Sequence, residues 1–370
     1  MHQISRKRFL RNLVIGGTAA TFLGCKGNEN KTSDGVPNIN TNKKFRWNMV
    51  TTWPPNFPVL GEGCNLFANW VNEMSGGQLT IKVYGGGELI PALEVFDAVS
   101  SGTAEIGSGA SYYWAGKSTA AQFFASFPFG FNAQQMNAWL YSGGGQKLWE
   151  EVYTPFNVQP LPGGNTGVQM AGWFNRDVST IEDLRGLKMR IPGLGGKVLK
   201  EAGGTVVLSP GGEIYTNLER GVIDAAEWIG PYHDYNMGFH QIAKNYYYPG
   251  WHEPGSTLEI IMNKRKFENL PANLQAILTS ASARLNIWML SEFEAKNAEY
   301  LKIIKDEGKV NISPLPQPVL DNLKILTLQI IEDMVAKDPM SKKIYDSIKI
   351  FKSRMSAWSK LTEEAYYQNM

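Results

Sequence analysis

The chain has 370 residues, of which 43% are hydrophobic and 12% aromatic, so it can bury a large core and should divide into two domains. Its formal net charge is +2, but Arg6, Lys7, Arg8 and Arg11 all lie within the first 24 residues, which contain no acid. The remaining chain is nearly neutral and gives no electrostatic reason to bind nucleic acid or an anionic membrane surface.

The first residues predict an export signal. The basic cluster SRKRFLRN precedes an apolar segment at residues 13–23, which is too short to span a membrane as a stable helix. We therefore expect residues 1–24 to be a signal peptide that is cleaved off. Residues 5–10 resemble a twin-arginine export signal with lysine in place of the second arginine, which leaves both the twin-arginine and the general export route open.

Residues 22–25, Phe-Leu-Gly-Cys, resemble the lipobox of bacterial lipoproteins, in which the cysteine is lipidated and becomes the new N-terminus. Phe22 stands where leucine is usual, so simple cleavage nearby and a free periplasmic product remain the alternative. Residues 25–44 are polar and rich in Asn and Lys, which predicts a flexible linker. The predicted location is the periplasm, with Cys25 as the candidate attachment point for a lipid anchor.

From residue 45 onward, the chain alternates patterns typical of strands and helices. Apolar residues at every second position predict a strand at residues 45–49, and a helical pattern follows until Ser75, Gly76 and Gly77 end it. Further strands are predicted at residues 79–84, 105–108, 187–191, 206–208, 222–227 and 257–263, and further helices at 91–101, 133–152, 271–306 and after 310. This βαβ rhythm predicts a mainly parallel sheet covered by helices.

A central strand is predicted at residues 164–175, GNTGVQMAGWFN, an apolar run with Gln169 in its middle. Glycines at 164, 167 and 172 allow other backbone or a ligand to approach closely. An uncharged polar side chain in such a run must find a hydrogen-bond partner. Gln169 is therefore either a satisfied core residue or a ligand-binding residue.

Three charged residues downstream stand among apolar or small neighbours: Arg190 in GLKMRIPG, Glu227 in DAAEWIGPY and Glu253 in PGWHEPG. Buried charges are rarely tolerated unless they are paired or bound to a ligand. The two long strands that flank the α/β block predict two domains joined by strands that cross between them. Ligands of such folds bind in the crevice at the carboxyl ends of the strands, so these charges and Gln169 predict a site there.

The glycine-rich turn at residues 193–197, GLGGK, resembles a phosphate-binding loop but does not match one. Ile191 stands where a P-loop has its first glycine, and Val198 replaces the serine or threonine that follows the lysine. The sequence also contains neither a GxSxG elbow nor an HExxH motif. These motifs therefore do not predict phosphate binding or nucleophilic catalysis.

The histidines give no zinc pattern. His233, His240 and His252 do not have zinc-like spacing, and His252 beside Glu253 is more typical of a structural, hydrogen-bonding histidine than of a catalytic one. Paired acids for glycoside hydrolysis remain conceivable with Glu227 and Glu253. A secreted glycosidase-like or metal-dependent hydrolase that uses these two acids is therefore the alternative to a binding protein.

Five segments together are similar to the extracytoplasmic solute-binding subunits of tripartite ATP-independent periplasmic (TRAP) transporters: ASYYWAGK, GNTGVQMAGWFN, GLKMRIPGLGG, DAAEWIGPYHD and YYYPGWHEPG. More narrowly, they resemble the branch that binds 2-oxo acids and related monocarboxylates with a metal ion. The resemblance runs from about Phe45 to the C-terminal helices. It implies the α/β, two-domain periplasmic solute-binding protein fold, with crossing strands and a long domain-spanning helix.

Domain boundaries follow from this implied fold. Residues 45–168 and 257–300 should form domain I, and residues 169–256 and 301–370 should form domain II with the C-terminal helices. The resemblance implies a binding protein and not an enzyme, because members of the family capture an organic acid and deliver it to a membrane permease. An anchored chemoreceptor partner that senses the same ligand is a third possibility.

The resemblance also assigns substrate contacts. Arg190 matches the arginine that binds the substrate carboxylate, for which its planar fork is suited. Gln169 matches a glutamine that touches both substrate and metal, and a tyrosine hydroxyl from Tyr112 or Tyr113 reaches the ligand. Asn165 is a further substrate contact or instead shapes the turn before the strand.

The same resemblance assigns a metal site. Glu227 and Glu253 match the two acids that ligate the ion, while Trp228, which also adjoins the substrate, contributes its main-chain carbonyl. With Gln169, all implied ligands are oxygens, which suits a hard cation such as sodium or calcium and not zinc or copper.

The resemblance finally implies a partner for the C-terminal region. The resemblance implies that relatives in this branch form dimers in which the two chains exchange a C-terminal helix. An apolar stripe at helical spacing here comprises Phe351, Met355, Trp358, Leu361 and Tyr366. This stripe either forms a homodimer or packs on its own chain.

Overall fold

The computed structural model describes residues 43–370, so the predicted signal peptide, Cys25 and most of the predicted linker lie outside the described residues. The strands are β1 (Phe45–Thr51), β2 (Leu79–Tyr84), β3 (Ile106–Gly109), β4 (Val158–Asn165), β5 (Gly172–Phe174), β6 (Lys188–Arg190), β7 (Thr205–Val207), β8 (Ala225–Ala226), β9 (Asn245–Tyr248), β10 (Thr257–Asn263) and β11 (Asn311–Pro314). The helices are α1 (Leu60–Met74), α2 (Val95–Ser101), α3 (Ala133–Ser142), α4 (Gly145–Tyr153), α5 (Gly193–Glu201), α6 (Ile214–Glu219), α7 (Pro231–Asn236), α8 (Phe239–Ile242), α9 (Lys264–Glu268), α10 (Ala272–Glu307), α11 (Gln317–Lys337), α12 (Pro339–Leu361) and α13 (Glu363–Tyr367).

These strands form two sheets. The first has the order β2-β1-β3-β10-β4 and the second has the order β11-β9-β5-β8-β6-β7. We call each sheet with the helices that cover it the first lobe and the second lobe. The chain crosses between the lobes from β4 to β5 and again from β9 to β10, which confirms the predicted α/β fold with crossing strands. The predicted domain boundaries themselves stay a prediction.

Both sheets are mixed, although a mainly parallel arrangement was expected. The pairs β1–β2, β1–β3, β6–β7, β6–β8 and β9–β11 are parallel. In contrast, β10 is antiparallel to both β3 and β4, and β5 is antiparallel to both β8 and β9. The antiparallel pairs therefore all involve β5 or β10, the strands that enter a sheet from the other lobe without the crossover helix that a parallel neighbour requires.

The long helix α10 connects the lobes. It has 36 residues and packs against β4 and α1 of the first lobe and against α7 of the second. Its buried face includes Leu274, Leu278, Leu285, Met289 and Phe293. The predicted domain-spanning helix is thus confirmed. Among residues 43–370, the helices all fall short of the combined length and apolarity that crossing a membrane requires.

Two predicted elements are wrong, the first because glycines interrupt a helix and the second because a strand precedes the helices. The helix expected at residues 133–152 is two helices, since α3 ends before Gly143 and α4 begins at Gly145. Gly144 has a φ of 89°, a left-handed conformation that glycine adopts at little cost. The region after residue 310 was expected to be wholly helical, but β11 precedes its helices and pairs with β9.

The single strand expected at residues 164–175 is also wrong. β4 ends at Asn165, the chain leaves the first sheet, and β5 begins at Gly172 in the second. Gly167 and Gly172 have φ values of 70° and 126°, which an L side chain rarely adopts, so the glycines produce the departure and the return. Gln169 consequently lies in a crossing segment between the lobes instead of inside a strand.

Candidate functional site

The two crossing segments, residues 166–171 and 249–256, hold each other by backbone hydrogen bonds. The amide of Gln169 donates to the carbonyl oxygen of Glu253 at 3.2 Å, and the amide of Gly250 donates to the carbonyl oxygen of Gln169 at 2.8 Å. These bonds define where the predicted crevice site would lie: at the place where the chain passes between the lobes.

Arg190 and Glu227 enter the same place from the second sheet. Arg190 ends β6, Glu227 follows β8, and these neighbouring strands are parallel, so both side chains leave the sheet at its carboxyl edge. The amide of Glu227 donates to the carbonyl oxygen of Arg190 at 3.1 Å. Both side chains are 1% exposed, which makes their pairing obligatory.

The guanidinium of Arg190 is bound on several sides. Its Nη1 donates to Oε1 of Glu227 at 2.5 Å, its Nη2 donates to the hydroxyl of Tyr113 at 3.3 Å, and its Nε donates to the carbonyl oxygen of Ser209 at 3.4 Å. Its Cζ lies 5.1 Å from the ring centroid of Trp228, a cation–π contact. Burial alone would lower the pKa of Arg190, but Tyr113 and Glu227 raise it, so the guanidinium stays charged.

A second buried acid lies next to this pair. The carboxylate of Glu253 accepts hydrogen bonds from Nε2 of Gln169 at 2.8 Å and from the hydroxyl of Ser256. Burial, and then the negative charge of Glu227, raise the pKa of Glu253 to about 7. Like charges in a desolvated site disfavour ionisation of both, so this position favours a neighbouring cation.

Three side chains here carry oxygens suited to a hard cation: those of Glu227, Glu253 and Gln169. Glu227, His252 and Glu253 offer ligand atoms that all lie within 4.8 Å of one another. The side-chain carbonyl oxygen of Gln169 is buried and has no hydrogen-bond partner among the described residues, which leaves its lone pairs available. Carboxylate and amide oxygens are the ligands that sodium-like and calcium-like cations prefer, so the residues fit such an ion.

A cavity adjoins Arg190 and Gln169. Its lining comprises Trp53, Leu60, Tyr112, Tyr113, Thr166, Gln169, Arg190, Trp228, Ile229 and Leu258. The rings of Tyr112 and Tyr113 meet edge to face at a centroid distance of 4.9 Å. Burial, followed by the charge of Glu253, raises the pKa of Tyr112 well above its usual value, so its hydroxyl keeps its proton and can donate a hydrogen bond. The cavity combines one charged end with several apolar walls.

Comparison with known families identifies the class of this protein. The profile of the family described as "Bacterial extracellular solute-binding protein, family 7" matches residues 49–338. The chain belongs to this family. Family 7 members are extracytoplasmic binding proteins of transporters and not enzymes, so the predicted class of protein is confirmed and the hydrolase alternative has no support.

Three relatives of this chain have names or structures that state a ligand. The chain is 40% identical over 364 residues to a monocarboxylate 2-oxoacid-binding periplasmic protein of Nostoc sp., covering 98% of each chain. It is 43% identical to a TRAP periplasmic solute-binding protein of Pseudoalteromonas atlantica solved with sodium and pyruvate, with a TM-score of 0.87 and coverage of 89% and 100%. It is 36% identical to a TRAP transporter solute-binding protein of Bordetella bronchiseptica, a mixed occupancy dimer with copurified calcium and picolinate, with a TM-score of 0.87 and coverage of 89% and 97%.

The residues assigned from the sequence come together around one cleft, with one qualification. Arg190, Gln169, Trp228, Tyr112 and Tyr113 line the cavity, and Glu227 and Glu253 adjoin it. Asn165 does not line it. Its side-chain oxygen accepts from the amide of Gly167 at 2.9 Å and its nitrogen donates to Thr257, which matches the turn-shaping alternative.

His252 is a neighbour of the candidate site whose contact the sequence did not reveal. Its Nε2 donates to Oε2 of Glu227 at 3.2 Å, so it orients the acid that also binds Arg190. The sequence predicts only a structural histidine, because the partner is 25 positions away. A histidine next to an acid in a glycine- and proline-rich segment was the one available signal.

The glycines of the GLGGK turn serve packing. A Cβ on Gly193 would lie 3.1 Å from Cβ of Tyr112, and a Cβ on Gly195 would lie 2.8 Å from Cβ of His252. Bare backbone at the start of α5 therefore lets this helix approach the site, which accounts for the motif without a phosphate.

Proposed function

We propose that this protein captures a small 2-oxo monocarboxylate together with one sodium or calcium ion in the cleft between its lobes and delivers the acid to TRAP permease subunits. The observation that carries the proposal is the buried cluster in which Arg190, Glu227, Glu253 and the unpartnered side-chain oxygen of Gln169 meet. The 2-oxoacid-binding name of the Nostoc relative and the pyruvate complex of the Pseudoalteromonas relative support the ligand class.

Each group has a distinct role in this proposal. Arg190 binds the carboxylate of the acid, and a hydroxyl from Tyr112 or Tyr113 donates to it. The ion would be held by Glu227, Glu253, the main-chain carbonyl of Trp228 and the side-chain oxygen of Gln169. In a 2-oxo acid the carbonyl oxygen is adjacent to the carboxylate, so a cation held by these residues would supply positive charge to both polar groups of the acid. This chemistry distinguishes 2-oxo acids from simple carboxylates.

Charge explains why ion and acid should bind together. Arg190 supplies one positive charge, whereas Glu227 and Glu253 supply up to two negative charges to the same cleft. Without a cation, an incoming carboxylate would therefore meet a site of net negative charge. Repulsion between like charges in a desolvated site costs on the order of several kcal/mol at the effective dielectric constant of a protein. A cation between the acids and the ligand reverses the sign of that interaction.

Calorimetry tests the proposal. Pyruvate should bind purified protein tightly with sodium or calcium present and weakly after treatment with a chelator in sodium-free buffer. By linkage, pyruvate should tighten the ion by the same factor. Affinity that is equal in both buffers would refute the ion-bridged site, and absence of binding across a panel of 2-oxo and 2-hydroxy acids would refute the ligand class.

We further propose that Cys25 carries a lipid anchor and that the protein forms a homodimer. The lipobox-like sequence supports the first, and the dimer of the Bordetella relative supports the second. Cys25→Ser should move the protein from the membrane fraction to the soluble periplasm when cells are fractionated. An unchanged distribution would leave simple cleavage as the explanation.

A further inference from the structure

The cavity has a wall of apolar residues in addition to its charged and polar groups. Trp53, Leu60 and Leu258 line it together with Arg190 and Gln169, and the three apolar side chains are at most 2% exposed. Under the proposed function, Arg190 and Gln169 engage the polar end of an acid, which leaves this wall to contact its hydrocarbon tail. The wall would then limit the length of the tail.

Leu60 is the member of this wall that stands on a strained turn. The preceding residue, Val59, has φ 57° and ψ −54°, and the amide of Leu60 donates to the carbonyl oxygen of Pro58 at 2.6 Å. A hydrogen bond from residue i+2 to residue i with these angles is a γ-turn of the rare, strained type. A positive φ is especially unfavourable for a β-branched residue such as valine. Strain of this kind persists only where surrounding contacts hold it.

The turn is held by first-lobe hydrogen bonds from the amides of Gly61 and Gly63 to the carbonyl oxygens of Phe57 and Val59, and by one contact from the second lobe. The indole N–H of Trp228 donates to Nδ1 of His233 at 3.2 Å, and because an indole nitrogen can only donate, the ring proton of His233 is on Nε2. That Nε2 donates to the carbonyl oxygen of Pro58 at 2.8 Å. His233 thus connects Trp228, beside Arg190, to the turn that carries Leu60.

Aromatic packing reinforces this connection. The ring of Phe57 meets that of His233 edge to face at a centroid distance of 4.8 Å and that of Trp228 at 6.2 Å. His233 is fully buried, so its two hydrogen bonds do not exchange readily with solvent. The turn at Pro58–Leu60 is consequently bound to the ligand-side surface of the second lobe.

The other two wall residues are fixed within the first lobe. The indole N–H of Trp53 donates to the hydroxyl of Ser108 on β3 at 3.1 Å. Leu258 lies in β10, where it pairs with Gly164 of β4. Both positions are held by contacts of the first lobe, whereas the turn that carries Leu60 also accepts a hydrogen bond from His233 of the second lobe.

We propose that Leu60 sets the tail length of the bound acid and that His233 is a positioning residue that holds Leu60 through the Pro58 carbonyl. This inference rests on the proposed function and deepens it. It makes the protein selective for short acids such as pyruvate over acids with longer tails. It also couples selectivity to contact between the lobes.

Calorimetry with pyruvate, 2-oxobutanoate and 2-oxopentanoate, in buffer containing sodium and calcium, tests the role of Leu60. Leu60→Ala should raise the affinity for 2-oxopentanoate relative to pyruvate by about tenfold, since one methylene in an apolar pocket is worth roughly that factor. Leu60→Val should give a smaller shift in the same direction. Leu66→Ala, a half-buried leucine of the same helix outside the cavity, is the matched control and should keep the wild-type ratio.

His233 is tested by loss and rescue. His233→Leu removes both hydrogen bonds and should shift the affinity ratio in the same direction as Leu60→Ala. His233→Gln, whose amide can accept from Trp228 and donate to Pro58, should restore the wild-type ratio. A purely structural residue would change the melting temperature without changing the ratio.

The outcomes separate the claims. Wild-type protein that binds none of the three acids overturns the proposed function and this inference with it. Wild-type binding with an unchanged ratio in both Leu60 variants overturns the role of Leu60 and leaves the proposed function standing. A changed ratio in the Leu60 variants but not in His233→Leu overturns only the positioning role of His233.

Discussion

The guanidinium of Arg190 is buried and contacts Glu227 and Tyr113, with its face against Trp228. Under the proposed function it also pairs with the acid's carboxylate. Arg190→Ala should therefore weaken pyruvate binding by roughly 2 to 5 kcal/mol, much of it from leaving the carboxylate unpaired in a desolvated site. Calorimetry on the folded variant measures the loss.

Two controls sharpen this prediction. Arg190→Lys keeps the charge but not the planar fork, so it should also lose affinity. Arg220→Ala removes an exposed arginine of the same lobe and should bind like the wild type. Equal affinities for Arg190→Ala and Arg220→Ala would contradict the assignment of the carboxylate to Arg190.

Glu227 is expected to act on the ion first and on the acid through it. Glu227→Gln keeps the shape and an oxygen toward Arg190 but removes a negative charge from the ion site. Ion affinity should fall by roughly tenfold or more, because even residues that only support a metal ligand are worth 10- to 100-fold. Pyruvate affinity should fall as well and lose most of its dependence on sodium or calcium. Glu219→Gln, an exposed acid on α6, is the control, and an undiminished ion dependence in Glu227→Gln would argue against the assignment.

At the scale of elements, local patterns predicted the regular parts of the chain. The strands at residues 79–84 and 257–263 and the helix near 271–306 agree with β2, β10 and α10. The crossing segment around Gln169 could not be predicted, because an apolar run with glycines looks the same whether it stays in one sheet or passes to another. Which sheet each half joins depends on partners such as β9 and β10, which lie far along the chain.

The crossing strand β10 also supports the turn that carries the two tyrosines. Its Glu259 is fully buried and accepts hydrogen bonds from the indole of Trp114 and, at 2.9 Å, from the hydroxyl of Tyr153. Burial raises the pKa of Glu259 to about 7, and the two hydrogen bonds offset only part of that effect. This group therefore titrates in the neutral range in the folded protein, above the usual range of a glutamate.

The sign of the resulting pH dependence follows from proton binding. Between the ordinary pKa of glutamate and about 7, the folded protein binds a proton that the unfolded chain releases. The contribution of Glu259 to stability is therefore fully present below the ordinary pKa and is lost as the pH rises through about 7. The raised pKa of Glu259 limits this contribution to the free energy of unfolding to roughly 3 kcal/mol.

Glu259→Gln should consequently lessen the loss of stability on going from acidic to mildly alkaline pH. Its side-chain oxygen can accept from Trp114, and its amide can donate to the hydroxyl of Tyr153, so both contacts are retained. Urea unfolding of variant and wild type across this range measures the difference. Glu268→Gln, an exposed acid on α9, should keep the wild-type pH dependence, and an identical dependence in Glu259→Gln would show that Glu259 does not titrate there.

At the scale of the whole molecule, the site exists because two lobes meet. Local sequence singled out Arg190, Glu227, Glu253 and Gln169 as candidates, because charged or amide groups in apolar surroundings stand out in a chain. It could not identify Leu60, an ordinary apolar residue at the start of a helix. What marks that residue out is visible only in three dimensions, where it lines the cavity and His233 of the other lobe binds the turn that precedes it.

The helix α12 is buried near its start and exposed near its end, and this difference is relevant to dimerisation. Ile344 and Ile348 near its start are buried in the core of the first lobe, and Phe351 packs against Phe131. Trp358 and Leu361 near its end are 62% and 78% exposed. The predicted apolar stripe therefore packs on its own chain in one half and is exposed in the other. Such an exposed apolar surface at the end of a helix is typical of an interface between proteins.

We therefore expect a homodimer at micromolar concentration, held in part by the exposed end of α12. Light scattering should give the mass of two chains for the wild type and of one chain for Trp358→Asp and Leu361→Asp, because an unpaired charge in an apolar interface opposes association. Ile287→Asp alters an equally exposed apolar residue on α10 and should remain dimeric. A monomeric wild type would contradict dimerisation itself. A dimer that tolerates both α12 substitutions would instead place the interface on another surface, because the charges would then remain in water.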